Sequence, residues 1–326
     1  MKSIYVLILF VSVLVGCSSS GNKQSSGSET TGGVVDSMSV VAAFNADSAY
    51  SFISAQCDYG PRVPGTKAHG LAGDYLAGKL REYGAVVTEQ RMKLTTFDGT
   101  EIDARNIIGE YNESAGRRIL LVAHWDSRPW ADSDPKEENR KLPVMGANDG
   151  ASGVGVLLEV ARQLSLKQPS IGIDILFVDA EDWGDSGGGE ETWALGTQYW
   201  TKNPHKLGYR PMFGILLDMV GAENARFARE YFSMRYASGI VDEVWRIARE
   251  SGYGSYFSDE YGGAVTDDHV FINRAGIPCI DIIDQNNSTG TGFFEEWHTT
   301  SDTPAIISKE SLDAVGQTLL NMIYGY

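Results

Sequence analysis

Two histidines and a set of carboxylates recur at comparable places in this 326-residue sequence, each just after a stretch of nearly continuous apolar residues. Ile119–Ala123 leads into His124-Trp125-Asp126, Ile173–Val178 into Asp179-Ala180-Glu181-Asp182, and Phe213–Leu217 into Asp218. Ile277–Ile283 leads through a loop to Trp297-His298. Between the first two runs lies Gly146-Ala147-Asn148-Asp149-Gly150-Ala151-Ser152-Gly153, an aspartate bracketed by glycines where a helix begins. Carboxylates gathered in partial burial repel one another and resist ionisation. A bound dication removes that cost, and oxygen and nitrogen donors without thiolates suit zinc. Singly, each residue has an ordinary explanation: Asp149 as a helix N-cap, Asp218 as an ion-pair partner, His298 as a loop residue. Their joint arrival at one sheet edge is better explained by a metal.

The elements that must position these residues follow from periodicity. The four apolar runs read as strands buried on both faces. Val86–Phe97 and Ile102–Tyr111 alternate as half-exposed strands with Asp98-Gly99 as the turn between them. Helices are expected over Asn45–Cys57, Lys67–Tyr83, Gly153–Leu164, Ala194–Lys202, Ile240–Ser251, Asp267–Ala275 and Lys309–Tyr324. Alternating strand and helix implies an α/β fold: a single three-layer domain, its twisted mixed sheet parallel at the centre with helices on both faces. In such sheets ligands bind outside the carboxyl ends of the parallel strands, which is where the polar residues fall.

Composition excludes some functions. With 27 Lys+Arg against 43 Asp+Glu the net charge is −16, which argues against nucleic-acid binding. Apolar residues at 42% exclude a wholly disordered chain. Nothing resembles a heptad or a long exposed apolar stripe, so a monomer is expected. Of three cysteines, Cys57 and Cys279 read as buried thiols, and no CxxC spacing suggests a thiolate metal site. His69 and His205 have no motif around them and are expected at the surface; His269 is expected to pack or hydrogen-bond.

Lys2 followed by Ile4–Gly16 is too short to span a bilayer and has the form of an export signal. Leu14-Val15-Gly16-Cys17 resembles a bacterial lipobox, which implies cleavage after residue 16 and lipid on Cys17. Ten of the sixteen residues from Ser18 to Gly33 are Ser or Gly, a flexible tether. The expected organisation is a signal peptide over 1–16, a lipidated tether over 17–36 and a catalytic α/β zinc domain over 37–326. That makes the chain an exported lipoprotein, on the inner or outer membrane and facing the periplasm, held to the membrane by its lipid alone.

Taken together, five ordered segments resemble the zinc-dependent aminopeptidase and glutaminyl cyclase superfamily. They are Leu121–Ser127, Gly146–Ala151, Phe177–Asp182, Leu216–Gly221 and Trp297-His298-Thr299. Thr266-Asp267-Asp268-His269, the Trp preceding His298, and Trp193-Ala194-Leu195-Gly196-Thr197 are similar to the cyclases rather than the peptidases. The resemblance implies one zinc per chain held by Asp149, Asp182 and His298. Glu181 is then the general acid/base, Asp218 and Asp267 its supports, and Trp193 and Trp297 the walls of the substrate pocket. The implied reaction converts N-terminal Gln of peptides and proteins to pyroglutamate with release of ammonia. The family usually has Glu-Glu where this chain has Glu181-Asp182, and the shorter aspartate reaches about 1.5 Å less far. His124 stays open between a second-metal ligand and a supporting role. The alternatives are a two-zinc aminopeptidase using His124, Asp149, Asp182, Asp218 and His298, and a non-catalytic binding lipoprotein. A glycosidase would leave the ordered histidines unexplained.

Overall fold

Parallel pairing of the apolar runs builds the sheet that carries the site. The computed structural model describes residues 43–286 and 288–326, all within the second of the two units into which the chain divides, Val41–Tyr326. The proposed signal and Cys17 lie outside the described residues. Strands β1 (Val86–Thr95), β2 (Glu101–Tyr111), β3 (Arg118–His124), β4 (Gly172–Val178), β5 (Phe213–Asp218) and β8 (Cys279–Ile283) form one sheet in the order β1-β2-β4-β3-β5-β8. β4, β3, β5 and β8 are parallel, while β1 and β2 form an antiparallel hairpin whose inner strand runs antiparallel to β4. The sheet is therefore mixed with a parallel centre, as its sequence pattern predicts.

Side-chain alternation divides the core. Ile119, Leu121 and Ala123 join one cluster with residues of α1 (Ala46–Cys57), α2 (Lys67–Glu82), α3 (Ala151–Leu166), α5 (Tyr231–Glu250) and α7 (Lys309–Gly325). Leu120 and Val122 point the other way, into a cluster with Trp200 of α4 (Leu195–Lys202) and Ile272 of α6 (Asp268–Arg274). Because both faces are covered, the central strands carry no polar alternation, and their runs were readable as buried strands.

Three features depart from expectation. Helix α5 begins at Tyr231 rather than Ile240, because Glu230 caps it by accepting from Phe232 N and Ser233 N, and it carries a break at Ala237. Two short strands, β6 (Phe227–Arg229) and β7 (Phe257–Tyr261), form a separate parallel pair too brief to show a period. His69 and His205 are not surface residues. His69 is 5% exposed, sits 2.9 Å from Asp179 and stacks on Trp125. The side chain of His205 is buried, and its Nδ1 accepts from the Trp200 indole at 3.2 Å. Cys57 and Cys279 are buried free thiols.

Candidate active site and metal centre

Parallel register aligns the ends of the central strands, so His124 pairs opposite Val178 and the residues after each strand share one edge. Asp218 closes β5, and Asp149 stands one residue before Gly150, the residue that opens α3. No side chain caps α3, which disposes of the N-cap explanation for Asp149. Gly150 itself must be glycine, since a Cβ there would fall inside the His124 ring.

Two donor groups share Asp149. Asp149, Asp182 and His298 offer ligand atoms within 4.8 Å of one another, as do His124, Asp149 and Asp218. His298 Nε2 lies 3.2 Å from Asp182 Oδ1 and 3.5 Å from Asp149 Oδ2, while its Nδ1 lies 3.3 Å from Asp132 Oδ1. A carboxylate behind the ring is the usual way a ligating histidine is oriented and its tautomer fixed. His124 Nε2 lies 3.0 Å from Asp149 Oδ1 and 3.2 Å from Asp218 Oδ1, with Asp126 facing its Nδ1 at 3.4 Å.

Two further carboxylates present the ligand loops. Asp126 accepts from the backbone N–H of Glu181 at 3.1 Å and of Asp182 at 3.2 Å. Asp302, fully buried, accepts from Asn148 N at 2.7 Å and Asp149 N at 3.1 Å. Arg128 lies between the rings of Trp130 and Trp193, 5.0 Å from each. It donates to Asp132, to Ser186 Oγ and to the carbonyl and carboxylate of Asp182. Asp126 belongs to a motif visible in the sequence; Asp302 and Arg128 carried no signal, because nothing local distinguishes them from surface charges.

These groups open into a pocket of ≈ 260 Å³ lined by Asp149, Glu181, Asp182, Asp218, Asp267 and His298, with Trp193 and Trp297 among its apolar walls. Trp297 stacks on His298 at 3.6 Å and Trp193 lies parallel to the same ring at 6.4 Å. Met219, Val265 and Phe293 complete the apolar lining and were not singled out from sequence. A larger cleft of ≈ 470 Å³ beside Arg226 and Asp284 holds none of the donor residues and has no part in this chemistry. Every sequence-predicted site residue among the described residues except His124 lines the smaller pocket. His124 is fully buried beside it.

Among the described residues, four of the six non-glycine residues with positive φ fall here: Ala180 before Glu181, Ala194 after Trp193, Met219 after Asp218, and His298 itself at 54°. Backbone in this region costs such residues of order 1 kcal/mol each, and tertiary contacts hold it where it re-aims a functional side chain.

The electrostatics test whether a cation fits. Burial, His124 opposing, and the charges of Asp267, Asp182 and Asp268 push Glu181 well above the usual carboxylate range. Burial and the neighbouring Asp149 charge also raise Asp182, and burial lifts Asp218 to about 7. Against its own burial, His298 is pushed up to about 10 by Asp182 and by its contacts with Asp132 and Asp149. Five acids thus crowd one small pocket, and the protein compensates with whatever protons and histidines it has. Oxygen and nitrogen donors of this kind, buried and mutually repelling, fit a dication such as zinc.

A mixed sheet with a parallel centre, helices on both faces, and Asp/His donors at the strand ends define the zinc-exopeptidase class of α/β enzymes. The chain belongs to peptidase family M28, whose model matches residues 106–323. The chain is 53% identical to Bacteroides thetaiotaomicron glutaminyl cyclase bound to N-acetylhistamine, with TM-score 0.86, over 88% of this chain and 99% of that one. It is 50% identical to a Zn-dependent exopeptidase from Parabacteroides distasonis, with TM-score 0.86, over 88% of this chain and 100% of that one. It is also 26% identical over 250 residues to glutaminyl-peptide cyclotransferase of Bos taurus, spanning 68% of this chain and 66% of the bovine protein.

Proposed function

We propose that this enzyme is a glutaminyl-peptide cyclotransferase, converting N-terminal Gln of peptides and proteins to pyroglutamate with release of ammonia. The observation that carries the reading is Glu181 in one pocket with Asp149, Asp182 and His298, between Trp193 and Trp297. It is supported by 53% identity to a bacterial glutaminyl cyclase over nearly the whole of that protein.

Asp149, Asp182 and His298 would hold one zinc, which when bound would supply Lewis-acid polarisation of the substrate's γ-carboxamide. The substrate's own α-amine is the nucleophile, so the chain need not provide one. Glu181 accepts a proton as the amine attacks and returns it to the departing nitrogen, so the new C–N bond forms as ammonia leaves. Its raised pKa suits a group that must both take and give a proton near neutrality. Asp126, accepting from the backbone N–H of Glu181, fixes the main chain that carries that side chain. Asp218 and Asp267 support the proton transfer from the pocket wall. Trp193 and Trp297 hold the flexible Gln side chain in a ring-like pose and exclude water.

A second reading, the two-zinc aminopeptidase, is favoured by the His124–Asp149–Asp218 donor group. The cyclase reading is preferred because Asp267, Trp193 and Trp297, the residues that separate the two patterns, all line the pocket. Metal content measured with products separates the readings. One zinc per chain, with ammonia from a Gln-starting peptide and no free amino acid, is expected; two zincs with release of N-terminal residues would replace the cyclase by the peptidase.

The chain is an exported lipoprotein, lipidated at Cys17. Among the described residues no helix is long and apolar enough to cross a membrane. Labelled palmitate should enter the wild type but not Cys17→Ala, and equal labelling would remove the anchor from the account.

A further inference from the structure

Behind Asp267 lies a chain of buried acidic and imidazole groups that the chemistry above does not use. Asp281 on β8, His269 on α6 and Glu230 at the start of α5 are all 0% exposed. Ligand atoms of Asp267, His269 and Asp281 lie within 4.8 Å of one another. Both oxygens of Asp281, Oδ2 of Asp267 and Nδ1 of His269 have no hydrogen-bond partner among the described residues. Buried orphans of this kind are rare, and each demands an explanation.

Glu230 fixes the polarity of the chain. Its carboxylate accepts from Phe232 N, from Ser233 N and Oγ, and from Val265 N. Against its burial, the contact with His269 and then these backbone donors hold its pKa below the usual value. An anion 3.1 Å from His269 Nε2 places the ring proton there. His269 Nδ1 lies 3.7 Å from Asp281 Oδ2, beyond hydrogen-bond reach. Acceptor then faces acceptor between the Asp281 carboxyl and Asp267 Oδ2. Only a proton or a cation can satisfy this pair, and full burial gives a hydrated cation no entry.

We propose that Asp281 carries a proton shared with Asp267 and is a positioning residue, holding the Asp267 carboxylate in place on the pocket wall facing Glu181. His269 and Glu230 support it from the other side. This rests on the cyclase reading of the same pocket. The charged and titratable groups facing Asp281 are Asp267, Asp268 and His269 from α6, Asp218 from β5, Glu230 from α5 and Cys279 on its own strand. All but His269 are acids, and burial adds to their repulsion in holding the Asp281 proton. Ser233 Oγ, which accepts from Asp281 N at 2.9 Å while donating to Glu230, ties the strand to the same anion.

The test compares Asp281→Asn, which keeps a neutral hydrogen-bond donor, with Asp281→Leu, which keeps only shape. Infrared spectra of the zinc-loaded protein at pH 8 should show a neutral-carboxyl band in the wild type that is missing from Asp281→Asn. Ammonia release by Asp281→Asn should stay within about threefold of wild type, whereas Asp281→Leu loses about ten- to hundredfold in kcat, the effect of one strong hydrogen bond. KM and bound zinc should be nearly unchanged in both. An absent band, equal activity of the two variants, or an inactive Asp281→Asn would overturn the proposal. So would loss of a second equivalent of metal, which would make the cluster a cation site. If Asp281→Leu does not fold, the infrared comparison of wild type with Asp281→Asn still decides. A wild type that releases no ammonia would refute the cyclase reading instead, leaving the band as an independent result.

Discussion

Replacing Asp302 by Asn tests whether the metal site is built from outside its ligands. Asp302 never faces the pocket. Its two oxygens accept separately from Asn148 N at 2.7 Å and Asp149 N at 3.1 Å, so the turn before α3 is pinned at the residue that carries the shared ligand. Asn has the same shape but only one acceptor. Whichever way the amide turns, one backbone N–H meets an –NH2 instead of an oxygen. One hydrogen bond is lost, worth about 0.5–1.5 kcal/mol, and a buried donor is left unpaired at a cost of about 1–3 kcal/mol. The metal-free protein bears part of this cost, so only a fraction falls on zinc binding. The expected outcome is about a tenfold weakening, at the lower end of what loss of an orienting partner does to a metal site. Competition against a chromophoric chelator at fixed pH measures it, with Asp302→Ala as a second variant that leaves both N–H groups unpaired and should weaken binding further. Zinc affinity within twofold of wild type in both variants would show that Asp149 does not need this clamp, and the reasoning would fail.

Glu181→Gln should keep zinc and lose about 10²–10⁴ in turnover, the usual contribution of a general acid/base, while His298→Ala should lose the metal; retained zinc in the second would show the ligand set to be wrong. Gly184→Ala should displace the Trp193 indole, since a Cβ there overlaps the ring. Substrate binding should weaken with bound zinc unchanged, and an unaltered KM would remove Trp193 from the pocket. Asp284 gives a pH effect remote from the metal. Burial lifts its pKa from 3.8 to about 6, so the folded state binds the proton more tightly and stability falls as pH rises through that interval. The loss is about 2.2 pH units at 1.36 kcal/mol each, about 3 kcal/mol. Denaturant melts should therefore show Asp284→Asn gaining that much on the wild type between pH 4 and pH 8, and a constant difference would contradict it.

Legibility from sequence followed the strength of the physical signal. β3, β4, β5 and β8 could be read because strands buried on both faces leave uninterrupted apolar runs. The first turns of α5 could not. Their stability comes from Glu230, an unusual cap, and from contacts with β8 rather than from an apolar stripe of their own. β6 and β7 exist because two short segments meet in space. His69 looked like a surface residue because its partner Asp179 is 110 positions away, and no local pattern reports such a pair.

The site divides the same way. Asp149, Glu181, Asp182, Asp218 and His298 were legible because each follows a buried apolar run or precedes a helix, and Asp267 through its resemblance to the cyclase pattern. What the chain could not state was which of them meet. That Asp149 belongs to two donor groups at once, that Asp302 and Asp126 hold the backbone under the ligands, and that Asp281 stands behind Asp267 are consequences of parallel register. Register brings together residues far apart in sequence and is chosen by the packing of two sheet faces, so only the folded chain contains it.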